Sequence, residues 1–427
     1  MNGTEELFYR LLAAIGRLAL NPFYYIGILF VVIQYRRHII LERKFFASRL
    51  HSLGQETWRT VAWGLLAGTL ASLLLAVTGV KLEAGTVVLL WGLTLGLLFV
   101  RVRYLCLAYS AGLLGLLHMT APHLPGWGEN SGFAWFYQAV DQVDLPSLFV
   151  LVAVLHLLEA GLILFQGDRL ATPLFVESKR GKIVGSYQLQ GFWPVPLFLL
   201  TPVASGGVTL PWEPFLAGNW QAVQWDFLVF PAIIGFTGMT LSRLPKPKLR
   251  QTAGLLLGYG AVLLAGAVVS AFWTPFGWAA AIVCILLHEA IITYGDWAER
   301  QRSPLYVNGP KGLTILAVLP GSSAQGAGLT VGEVVHKVNG VQVRTKEELH
   351  EALRLNSAFC KLEVLNLAGE SKFISRPLYE DEHHQLGIIV APDDDAPYYI
   401  EEKTFSFPSY VRRKWMGVLR NERQQGM

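Results

Sequence analysis

The sequence predicts an α-helical polytopic membrane domain of about eight spans, followed by a small cytoplasmic α+β domain, a β-barrel-like sandwich with one capping helix. Three observations carry that prediction. Only 15% of the 427 residues are charged and 52% are hydrophobic, whereas soluble domains are roughly 25% charged. Apolar runs approaching the ~20 residues a span needs recur between 60 and 295. Past 303 the pattern changes to short strands, tight turns and one helix. A net charge of +4 is too small to point to nucleic acid. Cys106, Cys284 and Cys360 form no close-spaced pair, so neither a disulfide framework nor a zinc ribbon is expected.

Residues 1–35 form a membrane-entry segment. "MNGTEELFYRLLAAIG" begins with acids and shows no small-residue cleavage site, so the first membrane segment is expected to stay in the mature chain. "TEELFYRLLAAIGRL" reads as an amphipathic helix, Asn21-Pro22 interrupts it, and "FYYIGILFVVIQY" continues apolar to Arg36. If 22–35 spans, the N-terminus lies outside; if it dips in or lies in the interface, the N-terminus is cytoplasmic. The cytoplasmic placement is adopted, because some thirteen residues are short for a span.

Residues 36–300 form the membrane domain. Spans are expected near 60–79, 84–100, 104–120, 147–166, 192–209, 226–242, 252–272 and 276–295. The run "FWPVPLFLLTPVASGG" is broken by prolines and reads as discontinuous or re-entrant. The loops 36–59, 101–103, 167–190 and 243–251 carry sixteen Lys and Arg, whereas 80–83, 121–146, 210–225 and 273–275 carry only Lys81. By the positive-inside rule the first set faces the cytoplasm, and so does everything after 295. "HLLEAGLILFQGDRLATPLFV" from His156 is echoed by "HEAIITYGDWAERQRSPLYV" from His288. Each exits a span and enters a strand signal, as a weak internal repeat would. In the first copy a cytoplasmic hairpin is expected near 173–190.

Residues 301–391 form the α+β domain. Leu313, Ile315 and Ala317 alternate as in a strand. A helical turn at 323–327 is stopped by Gly328. Asn339-Gly340 between β-branched runs signals a type I′ hairpin. Thr345 and Glu348 form a capping box, so a helix starts at Lys346. A second hairpin turns at 368–370. The blocks "PGSSA" from Pro320, "AGL" from Ala327, "GE" from Gly332 and "VNG" from Val338 resemble bacterial PDZ domains. The resemblance implies strand addition of an extended peptide beside the helix. Gly312, Leu313, Thr314 and Ile315, with Lys346, His350, Leu353 and Arg354, are then the expected peptide contacts. The carboxylate loop is either "VNGPKGL" (307–313) or "QLGII" (385–389), and the ligand is a free C-terminus, an internal peptide or a folded surface. The tail 392–427 is acidic at Asp393, Asp394 and Asp395, then basic, with Val411, Trp415 and Leu419 four residues apart. It reads either as a helix on anionic lipid or as a solvated end.

"LLHEAIITYGD" (286–296) tests for an intramembrane metalloprotease. H-E-x-x-H chemistry needs a second His at i+4, and that position is Ile292. A metal site built from His156, Glu159, His288 and Glu289 requires the two repeat copies to pack together. No metal and no cofactor is expected, and no serine-protease or P-loop pattern occurs. The four residues remain candidates as membrane-embedded polar groups: helix glue through a His–Glu hydrogen bond, a proton or transport pathway, or a partner contact.

The layout as a whole resembles the MinJ-like family of cell-division topological determinants. The likeness rests on "LNPFYYIGILFVVIQYRR", "ERKFFASRLHSL", "VRYLCLAYSAGLLGLL", "RGKIVGSYQLQGFWPVPL" and "RPLYEDEHHQLGIIV" in that order. It implies a non-enzymatic membrane adaptor in division-site selection. Such an adaptor would sit at poles and septum and link DivIVA to MinD, which with MinC confines FtsZ assembly. The alternative is a membrane-bound proteolysis or secretion component whose PDZ domain presents peptide substrates.

Overall fold

The computed structural model describes residues 3–46, 50–124, 127–128, 131–178, 180–216, 223–356, 359–377, 386–393, 396 and 398–400. The predicted tail helix lies outside them. The membrane half begins with α1 (Gly3–Ala19), α2 (Pro22–Phe46), α3 (Leu53–Thr78), α4 (Ala84–Val100), α5 (Leu107–Thr120), α6 (Ala134–Asp141) and α7 (Leu145–Gln166). A sheet of β1 (Ala171–Glu177), β2 (Ile183–Val203) and β3 (Gln224–Thr240) follows, then α8 (Pro245–Phe272) and α9 (Gly277–Arg300). Among the described residues, four helices are long and apolar enough to cross a membrane: α3, α7, α8, and α9 with the turn before it. A fifth crossing arises if α1 and α2, bent by 54° at Asn21-Pro22, count as one.

Eight spans are therefore too many. α4 has 17 residues and α5 has 14. The runs near 192–209 and 226–242 are strands: β2 and β3 pair antiparallel from Tyr187↔Thr240 to Val203↔Gln224. Nearly every residue of 183–200 is buried, so the strand lacks the in–out alternation of a half-exposed one and mimics an apolar helix. Because β2 and β3 go out and return, the basic turn at 180–182 and Arg243 still share one end.

Beyond residue 190, β2 has β3 on one side and, among the described residues, no strand on the other, only an isolated bridge from Lys81 to Leu200. An unpaired edge is costly in an apolar setting, and α3 covers it. Pro194 and Pro196 have no amide to satisfy, and their carbonyls point at Gly64 and Gly68. The next outward amide, Phe198, donates to Ser72 Oγ at 2.9 Å. Leu200 accepts from Leu82 N at 3.3 Å. The steps match: four residues of helix rise ~6.0 Å and two of strand ~6.6 Å. Small residues at 64, 68 and 72 let the two backbones run side by side.

α1 lies at the hairpin tip, where Arg17 Nη2 donates to Phe227 O at 2.9 Å and pairs with Asp226 at 3.5 Å. α2 runs from there to the opposite end, where His38 meets Gln190 at 3.0 Å and Phe45 packs on Phe175. α1 is thus at the end away from the basic turn at 180–182 and Arg243. α2 continues through Arg36 to Phe46, which supplies the length that 22–35 lacked.

The C-terminal domain contains β4 (Leu313–Val318), α10 (Ser323–Gly326), β5 (Val334–Val338), β6 (Val341–Gln342), α11 (Lys346–Arg354), β7 (Phe359–Leu365), β8 (Ser371–Pro377) and β9 (Ile388–Val390). The sheet order is β8-β7-β5-β4-β9, with β6 on β5. Its local signals are all formed. Asn339 and Gly340 take φ of 50° and 87°, and Val338 pairs with Val341 across them. The Thr345–Glu348 capping box closes reciprocally. Leu313, Val335, Leu349, Leu353 and Val364 fill a core separate from that of the membrane half.

Candidate functional site

The first candidate site is the peptide groove. Gly312, Leu313, Thr314 and Ile315 cannot take an added strand. Leu313 and Thr314 pair with Val335 and Val334 of β5; on the other side Ile315 pairs with Val390 of β9, and Ala391 N donates to Thr314 O. The sheet ends instead at β9, formed from the second carboxylate-loop candidate, of which Leu386–Ile389 are described. Leu319 N donates to Gly387 O, and Ala391 N points the same way. Alternation then aims the backbone groups of Ile388 and Val390 outward, where no strand pairs among the described residues. On α11, Leu353 is 4% exposed and belongs to the core, so it is not a groove contact. His350 and Arg354 are exposed, and Lys346 Nζ lies over the Phe175 ring of β1.

That last contact belongs to a latch between the halves. Gly185 N donates to Tyr306 O at 2.9 Å, and Leu305 N to Leu241 O at 2.8 Å. The hydroxyl of the buried Tyr187 donates to Leu316 O. The second copy's "PLYV" is therefore no strand; it clips the end of the long hairpin. Glu299, which no sequence pattern marked, caps the same corner. Its Oε1 accepts from Leu241 N at 2.8 Å, Ser242 N and Ser242 Oγ at 2.7 Å and Thr240 Oγ1 at 2.9 Å.

The second candidate site is the polar cluster among α5, α7, α8 and α9. The repeat copies do pack together: the His156 and His288 rings lie 5.2 Å apart. Neither His–Glu hydrogen bond forms. Glu159 Oε2 stays 4.0 Å from His156 Nε2. Glu289 turns away to Arg103 and accepts from Tyr109 OH at 2.6 Å. Cys106, the residue before α5, is the partner that sequence reasoning missed; its Sγ sits 3.2 Å from His156 Nε2 and 3.4 Å from His288 Nε2. Tyr259 packs against both imidazoles, at 4.8 and 5.5 Å. A cavity of about 370 Å³ adjoins the cluster, with Cys106, Glu159, His288, Gln188, Lys248 and Asp296 on its walls. Ile292 lines it too, one turn past His288, so the helix offers no second imidazole.

Comparison with known proteins shows what the chain is similar to. Residues 314–364 match the PDZ domain model. The cell division topological determinant MinJ of Bacillus subtilis (strain 168) is 28% identical over 392 residues, covering 90% of this chain and 96% of that protein. A probable cell division topological determinant MinJ of Lacticaseibacillus paracasei is 26% identical over 357 residues, covering 83% and 91%. The solved PDZ domain of an SdrC-like protein from Listeria monocytogenes is 13% identical, with a TM-score of 0.17, over 19% of this chain and 90% of that one. Along most of its length the chain is similar to proteins named as MinJ cell division topological determinants, and it has candidate membrane-spanning helices followed by a segment that matches the PDZ domain model.

Proposed function

We propose that the chain is a non-enzymatic membrane adaptor in division-site selection. It links a DivIVA-like protein at poles and septum to MinD-like and MinC-like proteins, and so confines FtsZ assembly. The observation that carries this reading is likeness along nine-tenths of the chain to proteins named as division topological determinants. The sixteen basic residues concentrated in alternate loops of the sequence support a cytoplasmic PDZ domain. With the turn at 180–182 and Arg243 inside, α1 lies on the outer side. Protein partners dock by adding a strand to the outward edge of β9, with His350 and Arg354 of α11 as further contacts.

Co-purification tests this. The full chain, solubilised in detergent, is expected to retain DivIVA-like and MinD-like proteins. Recovery of neither removes the adaptor assignment. Recovery of both by an Ile388→Pro variant removes the docking mode, since that change deletes an outward amide and spares the bonds to β4.

A further inference from the structure

Three metal-capable side chains from distant parts of the chain converge on one point. The donor atoms of Cys106, His156 and His288 all lie within 4.8 Å of one another. Both imidazoles are buried. His156 Nδ1 faces Val152 O at 2.8 Å, so it carries the proton and leaves Nε2 a bare lone pair aimed at the sulfur. Ligating histidines are commonly held in this way. A thiol has one proton, which satisfies at most one of the two nitrogens that face it.

The geometry fits a small tetrahedral ion. Zn–S bonds of about 2.3 Å and Zn–N bonds of about 2.0 Å, at a tetrahedral angle, set sulfur and nitrogen ~3.5 Å apart. The observed 3.2 and 3.4 Å are at most a few tenths short of that, within reach of small side-chain rotations. Glu159 lines the same cavity as Cys106 and His288 and lies 4.0 Å from His156 Nε2. The charges close as well. One thiolate, one carboxylate and two neutral imidazoles neutralise a divalent cation, and a net charge is costly at this depth. Thiolate with imidazole favours zinc-class ions over magnesium or calcium.

We propose that Cys106, His156 and His288, completed by Glu159, bind a single zinc-class divalent ion, against the expectation from sequence that no metal is held. On binding, the Cys106 S–H bond breaks, the sulfur–metal bond forms, and the proton leaves by way of the adjoining cavity. The ion ties the start of α5 to α7, which leads into β1, and to α9, which leads into the PDZ domain. It thereby fixes the two helices that lead into the elements of the latch.

The test uses the full chain in detergent, stripped with chelator and dialysed against zinc alone, with metal content measured by inductively coupled plasma mass spectrometry. About one equivalent is expected. Cys106→Ser and His288→Ala are expected to weaken zinc binding more than 10-fold, while Glu289→Gln, whose carboxylate faces Arg103, retains it. Cobalt substitution is expected to give a thiolate-to-cobalt charge-transfer band that Cys106→Ser abolishes. Should the serine variant misfold, the wild-type cobalt spectrum still decides. No zinc uptake by the stripped wild type, or a cobalt complex without the thiolate band, overturns the proposal.

Discussion

Replacing Gly68 by alanine puts a methyl group 2.7 Å from Pro196 Cδ and against the Pro196 carbonyl. Carbon atoms pack at about 3.5–4.0 Å, so helix and strand must separate by roughly 1 Å. The Phe198 N–Ser72 Oγ bond starts at 2.9 Å and breaks on such a shift. Overpacking costs about 1–3 kcal/mol, and a buried amide left without an acceptor a further ~1–3 kcal/mol. A loss of about 2–6 kcal/mol follows. At ~2–4 °C per kcal/mol for domains of 150–250 residues, melting falls on the order of 5 °C or more. The assay is thermal unfolding of the purified chain in detergent by tryptophan fluorescence, since Trp193 and Trp225 are buried in the hairpin. Gly258→Ala on α8 is the control, because no heavy atom lies within 4 Å of the added carbon; helix propensity makes it neutral or slightly stabilising. Equal melting of the two variants would refute the close-approach account of α3 and β2.

Other outcomes follow from the same contacts. Glu299→Ala leaves the Leu241 and Ser242 amides without their acceptor, at about 1–3 kcal/mol each, and hydrogen exchange there accelerates. Thr345→Ala removes the cap on α11 and lowers its exchange protection by about 1 kcal/mol. Burial pushes the Cys360 thiol up to about 11, so maleimide at neutral pH labels it only after denaturant is added. The folded state holds this proton more tightly than the unfolded chain. Its contribution to stability is therefore full below the ordinary thiol value of ~8.5 and is lost as pH rises toward 11; alkaline unfolding of the PDZ domain in that window checks the sign.

The PDZ half was legible because its signals are local. Asn339-Gly340, the Thr345–Glu348 box and Gly328 each act within four residues, so short quoted stretches specify them. The long hairpin was hidden because β2 is buried on both faces, and an unbroken apolar run reads as a span. Its prolines held the clue: Pro194, Pro196 and Pro202 are an even number of residues apart, as fits a strand turning one edge to a helix rather than a broken helix. At the polar cluster, the His156 and His288 echo was visible, but nothing in the order of residues brings Cys106 to them; that is settled by the packing of α5 against α7 and α9. The choice between the two carboxylate-loop candidates likewise depended on which strand ends the sheet.

The adaptor assignment is tested most directly by the position of the chain in dividing cells. A fluorescent fusion to the full chain is expected to collect at septa and poles, and to spread around the membrane in a strain lacking its DivIVA-like protein. A uniform membrane distribution in wild-type cells, or septal rings that persist without that protein, would contradict it.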